Sequence, residues 1–95
     1  MKKFFVVELT VKIDSRSNLL NYLNNYAVKV RSEDGCECLD VLVDPQSLDT
    51  VVLYEIWRDT AAHLAHLETP GFVKWKAFSD PLIERFSVKM LESGE

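Results

Sequence analysis

The chain has 95 residues, of which 47% are hydrophobic and 27% are charged. This length supports one domain with one core, and this composition excludes an intrinsically disordered chain. The net charge of −4 argues against a nucleic-acid-binding protein and against a polybasic membrane anchor, because both need a basic surface. No apolar stretch approaches the roughly 20 residues of a membrane span, and the first apolar run is too short for a signal peptide. We expect one cytoplasmic domain over residues 1–95.

The first elements that the sequence predicts are a strand and a helix. Apolar residues alternate along residues 3–13, which is typical of a strand that buries one face as far as Ile13. Asp14 and Ser15 follow as candidate caps of a helix of about 16 residues, in which apolar side chains recur at helical spacing. Gly35 lies after this segment and predicts a left-handed stop.

Three further strands are predicted at residues 36–44, 50–58 and 82–91, where β-branched and aromatic residues are concentrated. The strand at 50–58 is strongly apolar, like the first strand, whereas the other two carry several charges. Charged residues are common on the edges of sheets because they discourage pairing with other chains. We therefore expect strands one and three at the centre of a sheet and strands two and four at its edges.

Two short helices are predicted between the third and fourth strands. Asp59 or Thr60 caps the first, which runs to Leu67. Thr69 and Pro70 begin the second, since proline is favoured in the first turn of a helix. This second helix carries three aromatic residues on one side, Phe72, Trp75 and Phe78. The order βαββαβ predicts a ferredoxin-like α+β fold, with a four-stranded antiparallel sheet and its helices on one face.

Such a sheet leaves its second face uncovered. That face carries either Phe4 and Val6 or their neighbours, and a soluble monomer rarely exposes so large an apolar patch. We therefore expect a homodimer formed sheet against sheet.

Cys36 and Cys38 are the only cysteines, and they lie two residues apart. On a regular strand they share one face, and such neighbours are poor disulfide partners. No further ligands follow at the spacing of a zinc site. We predict two reduced thiols and no bound metal.

The chain has none of the glycine-rich motifs that hold nucleotides, and neither the zinc-protease nor the serine-hydrolase motif. We therefore expect no cofactor held in these ways. Candidate chemistry lies instead on the third strand, where Leu53, Glu55 and Trp57 share a face. If this face meets the helices, Glu55 and Trp57 converge with His66 on one cavity. The alternative is a structural salt bridge between Glu55 and one of three cations, Arg31, Lys76 or Arg58.

His63 and His66 lie three residues apart on a predicted helix and so share a side. A pair of histidines is too few ligands for a metal site. One of them can simply pack or hydrogen-bond, or it can act as an acid or base near neutral pH. We expect His66 to point into the cavity and His63 to lie nearer solvent or the cavity rim.

The chain resembles the antibiotic biosynthesis monooxygenase domain, a family of dimeric α+β barrel proteins. The resemblance rests on residues 33–36 (Glu-Asp-Gly-Cys), residues 54–59 (Tyr-Glu-Ile-Trp-Arg-Asp), Ala62, His66 and residues 69–72 (Thr-Pro-Gly-Phe). These pieces occur in the family's order and spacing, and the similar region covers about residues 4 to 90 of the chain. The resemblance implies the same fold and the same dimer.

Some members of this family oxidise aromatic phenols with molecular oxygen and no cofactor, so the resemblance implies a cofactor-independent monooxygenase acting on a small or polycyclic aromatic. Trp57 matches a pocket tryptophan of those enzymes. We predict three catalytic residues, His66, Glu55 and Trp57. We predict five further residues of the substrate pocket, His63, Leu53, Phe72, Trp75 and Phe78.

Other functions stay open at this point. A related isomerase degrades a phosphorylated autoinducer, and its phosphate would need a cation at the pocket mouth, for which the candidates are Arg31, Lys74, Lys76 and Arg85. A haem-degrading branch is disfavoured, because its three marker positions hold Glu8, His66 and Lys76 here. The third alternative is a module that binds a small molecule without catalysis.

Overall fold

Four β-strands and three α-helices follow one another in the computed structural model, which describes residues 1–95. They are β1 (Lys3–Val11), α1 (Arg16–Arg31), β2 (Cys36–Val43), β3 (Thr50–Trp57), α2 (Thr60–Leu67), α3 (Pro70–Ser79) and β4 (Ile83–Leu91). A 3₁₀ turn at Asp80–Leu82 joins α3 to β4. No helix combines the length and the apolar character needed to cross a bilayer.

The strands form one antiparallel sheet in the order β2-β3-β1-β4. The predicted ferredoxin-like α+β fold is confirmed, with β1 and β3 at the centre of the sheet. Pairing of β1 with β3 sets Phe5 opposite Glu55 and Val7 opposite Leu53, so these side chains share a face. Phe5, Leu53 and Glu55 are buried, which identifies this face as the one under the helices.

The core lies between this face and α1. The helix contributes five buried side chains at helical spacing, Leu19, Leu23, Tyr26, Ala27 and Val30. Burying a leucine side chain of this kind stabilises a fold by about 1.5–3 kcal/mol. Trp57 of β3 is fully buried, which makes it the largest enclosed side chain of the protein.

Side-chain caps begin the two short helices. Asp59 accepts a 2.8 Å hydrogen bond from the Ala62 backbone nitrogen, which starts α2. The Thr69 hydroxyl accepts a 3.2 Å hydrogen bond from the Phe72 backbone nitrogen and donates a 2.8 Å bond to the His66 carbonyl. Of the two candidate caps of α2, the structure uses Asp59. Thr69 ties the start of α3 to the end of α2.

The first strand ends earlier than the alternation predicts. β1 stops at Val11, and the side chain of Ile13 is 88% exposed. Asp14 adopts a left-handed conformation with φ 63°, and the Ser15 nitrogen donates to the Lys12 carbonyl, so the chain already turns here. Ser15 occupies the first cap position of α1 but makes no side-chain cap hydrogen bond. The prediction of a buried Ile13 is therefore wrong, whereas of the two candidate caps Ser15 takes the N-cap position.

The two cysteines lie on different faces of β2, contrary to the prediction. The pairing register shifts between Cys36 and Cys38, so Cys36 lies opposite Trp57 and Cys38 opposite Ile56. A β-bulge of this kind adds one residue and reverses the alternation. Both thiols are free, and Cys36 packs against the core.

The turn between α1 and β2 is clamped to α2. Gly35 has the predicted left-handed conformation, with φ +85°, which glycine adopts without strain. It does not end the helix, however, because α1 already ends at Arg31 with Ser32 as its cap. A Cβ atom at Gly35 would lie 2.4 Å from the Cβ of Ala62. Arg58 adds a bidentate ion pair to Asp34, with distances of 3.0 and 3.2 Å. The turn is therefore held against the helix that carries His63 and His66.

Two apolar surfaces of the single chain are at least partly open to solvent. One is the sheet face without helices, where cross-strand pairing brings Phe4 next to Ile56 and Val6 next to Tyr54. The other is the helix-side face of β4, where three large side chains are more than half exposed, Phe86, Val88 and Met90. The helices cover the centre of the sheet and leave this edge strand open.

Candidate functional site

A cavity of about 640 Å³ lies between the sheet and the helices, and 14 of its 22 lining residues are hydrophobic. Six of the residues predicted from the sequence line this cavity, Leu53, Glu55, His63, His66, Phe72 and Trp75. The odd-numbered face of β3, the inner side of α2 and the aromatic side of α3 therefore meet at one place. A mostly apolar cavity with a few polar groups is the usual form of a small-molecule site.

Two predicted site residues lie outside the lining. Trp57 is fully buried and packs behind the cavity wall. Phe78 stacks on Tyr22 of α1, with ring centroids 4.2 Å apart. Neither side chain is positioned to touch a molecule in the cavity. Both instead support residues that do line it, since Tyr22 lies 6.0 Å from the Trp75 ring and Trp57 bonds to Glu55.

Glu55 is a buried carboxyl group whose bonded partner is an indole. Its Oε1 accepts a 2.9 Å hydrogen bond from Nε1 of Trp57, and the residue is 8% exposed. Burial raises the pKa of Glu55, and nearby Glu33 adds to the rise, whereas the Trp57 bond and His66 oppose it. None of the three cations considered from the sequence forms a salt bridge with Glu55. They pair instead with other groups: Arg31 with the Leu39 carbonyl, Arg58 with Asp34, and Lys76 with Asp80.

His66 faces the cavity, as predicted, and its ring is held on several sides. It stacks on Trp57 at 4.7 Å and meets the ring of Phe72 edge-on at 5.2 Å. Its Nδ1 lies 2.8 Å from Oε1 of Glu33, in the turn after α1. Glu33 was not predicted as a site residue, because no local sequence pattern shows which distant group a carboxylate in a turn will contact.

His63 lies one turn earlier on α2 and is half-buried. Its ring stacks on Phe5 with centroids 4.1 Å apart, and it lies 6.3 Å from the ring of His66. Burial lowers the pKa of His63, and the neighbouring His66 lowers it further. A largely neutral imidazole at the cavity wall follows from this placement.

Tyr26, one of the buried residues of α1, also lines the cavity and was not predicted as a site residue. Its ring lies 6.2 Å from Trp75 and 6.4 Å from His66 in near-parallel orientation. Burial raises the pKa of Tyr26 to about 12, and Glu33 contributes to the rise. The sequence signal for this role is the residue type, because tyrosine combines an aromatic ring with a polar hydroxyl group that needs a partner when it is buried.

The cavity mouth carries charges of both signs. Of the four cations considered for a phosphate, Lys76 and Arg85 line the cavity, together with Asp80 and Glu84. The Lys76 amine lies 3.5 Å from Asp80 and 6.0 Å from the ring centre of Phe86. Arg31 and Lys74 lie elsewhere. No three His, Cys, Asp or Glu side chains come together as a metal-binding group.

Comparison with known proteins agrees with this architecture. The family model of antibiotic biosynthesis monooxygenases matches residues 4–77. The fold is similar to Rv0793 from Mycobacterium tuberculosis, with a TM-score of 0.92 and 24% identity over 100% of this chain and 97% of that one. It is also similar to PA3566 from Pseudomonas aeruginosa, with a TM-score of 0.93 and 21% identity over 99% of this chain and 95% of that one.

A further solved structure, described as an antibiotic biosynthesis monooxygenase, has a TM-score of 0.91 and 22% identity over 100% of both chains. At these identities the likeness shows a shared fold. None of the curated proteins matches the chain. The family match extends over most of the chain and supports a monooxygenase-like role in general terms. The chain belongs to the antibiotic biosynthesis monooxygenase family.

Proposed function

We propose that the protein is a cofactor-independent monooxygenase that acts on a small or polycyclic aromatic bearing a hydroxyl group. The observation that carries the proposal is the cavity of about 640 Å³, which is mainly apolar and has Glu55 and His66 in its wall. Its aromatic members, Phe72, Trp75 and Tyr26, suit a flat aromatic ligand. The ionisable groups supply the polar contacts that orient such a ligand.

In this proposal His66 accepts the phenolic proton as a general base. The phenolate is the electron donor: it reduces dioxygen by one electron, and the two radicals recombine. One oxygen atom enters the ring to give a quinone, and the other leaves as water. The protein supplies shape, hydrogen bonds and a site shielded from water.

Glu55 and Trp57 act on His66 in different ways. Glu55 lies close enough to the imidazole for His66 to oppose the rise of the Glu55 pKa that burial causes. Trp57 donates a hydrogen bond from its indole N–H to Glu55 and stacks on the His66 ring. Its proposed role is therefore to position both groups. This replaces the direct substrate contact that the sequence predicted for Trp57.

The test is oxygen uptake by the purified protein with a panel of naphthols, anthrols and simple phenols, followed optically as quinone formation. Uptake that persists with a chelator present and no flavin or metal added supports the proposal. Absence of uptake across the whole panel would contradict it.

The second candidate is an isomerase of a phosphorylated dione, which Lys76 and Arg85 at the cavity mouth favour because they could hold a phosphate. Mass spectrometry of the protein in its native state separates the candidates. A bound aromatic supports the monooxygenase, and a sugar-like phosphate supports the isomerase. A ligand bound tightly without turnover supports a module that only binds.

We also propose that a second copy of the chain covers the sheet face without helices. Cross-strand pairs of that face, Phe4 with Ile56 and Val6 with Tyr54, form a continuous apolar surface at the centre of the sheet. A homodimer through this face would leave the cavity, which lies on the opposite face, accessible to a ligand.

A further inference from the structure

We propose that Glu33 is a positioning residue for His66: it keeps the imidazole proton on Nδ1 and leaves Nε2 as the proton acceptor on the cavity side. Only one part of this proposal rests on the proposed function, namely that the proton comes from a hydroxyl group of the ligand. The tautomer itself is a property of the protein without ligand. Glu33 lies outside the cavity lining, so it acts through His66 alone.

The position of Glu33 is fixed by the turn that carries it. Its backbone nitrogen donates to the Val30 carbonyl at 2.9 Å, and its carbonyl accepts from the Cys36 nitrogen at 3.1 Å. The close approach of Gly35 to Ala62 holds the same turn against α2. Because α2 also carries His66, the carboxylate and the imidazole are held by one rigid contact between two elements.

The hydrogen bond determines which nitrogen carries the proton. An ionised carboxylate accepts hydrogen bonds and donates none, so the 2.8 Å contact with Glu33 requires a proton on Nδ1. Nε2 makes no hydrogen bond within the chain. Stacking on Trp57 and the edge of Phe72 oppose rotation of the ring. Nε2 is therefore the nitrogen that remains free for a ligand.

The same carboxylate stabilises the product of proton transfer. When a ligand hydroxyl transfers its proton to Nε2, the ring becomes an imidazolium and the Nδ1 proton stays in its bond to Glu33. The hydrogen bond from Nδ1 to the carboxylate then joins two charged groups, which makes it a charge-assisted bond. The Glu33 side chain is 23% exposed, whereas that of His66 is 7% exposed, so the carboxylate keeps contact with water and its own charge is less costly.

Nitrogen-15 NMR of the ring nitrogens of His66 tests the tautomer without any substrate. In wild-type protein at mildly alkaline pH, we expect a protonated Nδ1 and a bare Nε2. The Glu33→Ala variant should show a mixture of tautomers or mainly the Nε2-protonated form. Glu37→Ala is the matched control, because it removes another glutamate of the same region, whose side chain pairs with Lys2 and lies outside the cavity lining. It should keep the wild-type pattern.

Kinetics supply a second measurement if the wild type consumes oxygen. Glu33→Ala should lower kcat by roughly ten-fold or more with little change in KM, because ligand contacts remain and only the base is impaired. A wild-type His66 protonated on Nε2, or an unchanged tautomer in Glu33→Ala, would overturn the assignment. Absence of oxygen uptake in the wild type would instead count against the proposed function, and the NMR result would still decide the role of Glu33.

Discussion

Burial moves the pKa values of two groups in the cavity wall in opposite directions. Glu55 is held at 8% exposure with an indole as its hydrogen-bond donor, so its pKa is raised. His63 stacks on Phe5, and its pKa is lowered. In both cases the buried environment disfavours the charged form. Each group therefore makes the stability of the fold depend on pH, with opposite sign.

The first prediction concerns Glu55→Gln. The pKa of Glu55 is raised in the folded state, so the wild-type protein loses stability as the pH rises from the ordinary glutamate pKa of 4.5 through the folded-state pKa. Glutamine can still accept the Trp57 hydrogen bond and has no charge to bury. The variant should gain stability relative to wild type as the pH rises above about 4.5, measured by urea unfolding. A stability difference that is constant with pH would contradict this prediction.

The second prediction concerns His63→Phe. Because the folded-state pKa of His63 is lowered from 6.5, the wild-type protein loses stability as the pH falls through 6.5 towards the folded-state pKa. Phenylalanine can keep the stacking on Phe5 and does not titrate. The variant should therefore gain relative stability as the pH falls over this range, the reverse of Glu55→Gln. The same unfolding series measures it, and a gain on raising the pH would refute it.

The third prediction separates a catalytic from a structural role of His66. If His66 is the base, His66→Gln should lower turnover by on the order of 100-fold or more, because glutamine cannot take the proton. If His66 is structural, the main effect should be a stability loss of about 1–3 kcal/mol through an unpaired partner. Oxygen uptake per folded molecule and urea unfolding measure the two effects. An active, pH-insensitive variant would end the acid–base hypothesis.

At the scale of elements, the site depends on the contact between the α1–β2 turn and α2. The turn carries Glu33 and α2 carries His66. The hydrogen bond between these two side chains joins residues that are 33 positions apart in the chain. Gly35 allows the approach, because its Cα has no side chain to collide with Ala62. The N-cap at Asp59 then sets where α2 begins.

The fourth prediction follows from this contact. Gly35→Ala places a Cβ 2.4 Å from that of Ala62 and a side chain on a residue with φ +85°, so both sterics and backbone strain oppose the native turn. The fold should lose about 1–3 kcal/mol, as is usual for a residue held in a sparsely populated conformation. Gly94→Ala is the control, since no atom lies within 4 Å of its added Cβ. Chemical unfolding of both variants is the measurement, and equal stabilities would contradict the prediction.

At the scale of the whole molecule, the helices cover only one face of the sheet. The cavity opens on the covered face, and the apolar pairs of β1 and β3 lie on the other. One face is therefore available for a ligand and the other for a second copy. In the proposed homodimer, association and ligand binding would therefore use different residues.

The fifth prediction tests the proposed homodimer. The wild-type protein should sediment as a dimer at micromolar concentration, and Ile56→Asp should sediment as a monomer, because a carboxylate would be buried opposite Phe4 in the interface. Val28→Asp is the control, as Val28 is 65% exposed on the outer side of α1. It should remain a dimer. A monomeric wild type would refute the proposed interface.

The order of the elements and the inner face of β3 were predictable from the sequence, because both depend on local periodicity. Alternation along residues 50–58 put Leu53, Glu55 and Trp57 on one face, and helical spacing put His66 on the inner side of α2. The caps at Asp59 and Thr69 were predictable for the same reason, since a cap and its helix are neighbours in the chain.

Only the tertiary structure decided which groups meet. Glu33 and His66 are distant in sequence, and no local pattern pairs them. The bulge between Cys36 and Cys38 and the early end of β1 before Ile13 depend on how strands and turns fit their neighbours. Glu55 has Trp57 as its partner instead of a cation, because packing encloses the two side chains together in the core. Contacts of this kind follow from the packing of distant segments, which sequence periodicity does not encode.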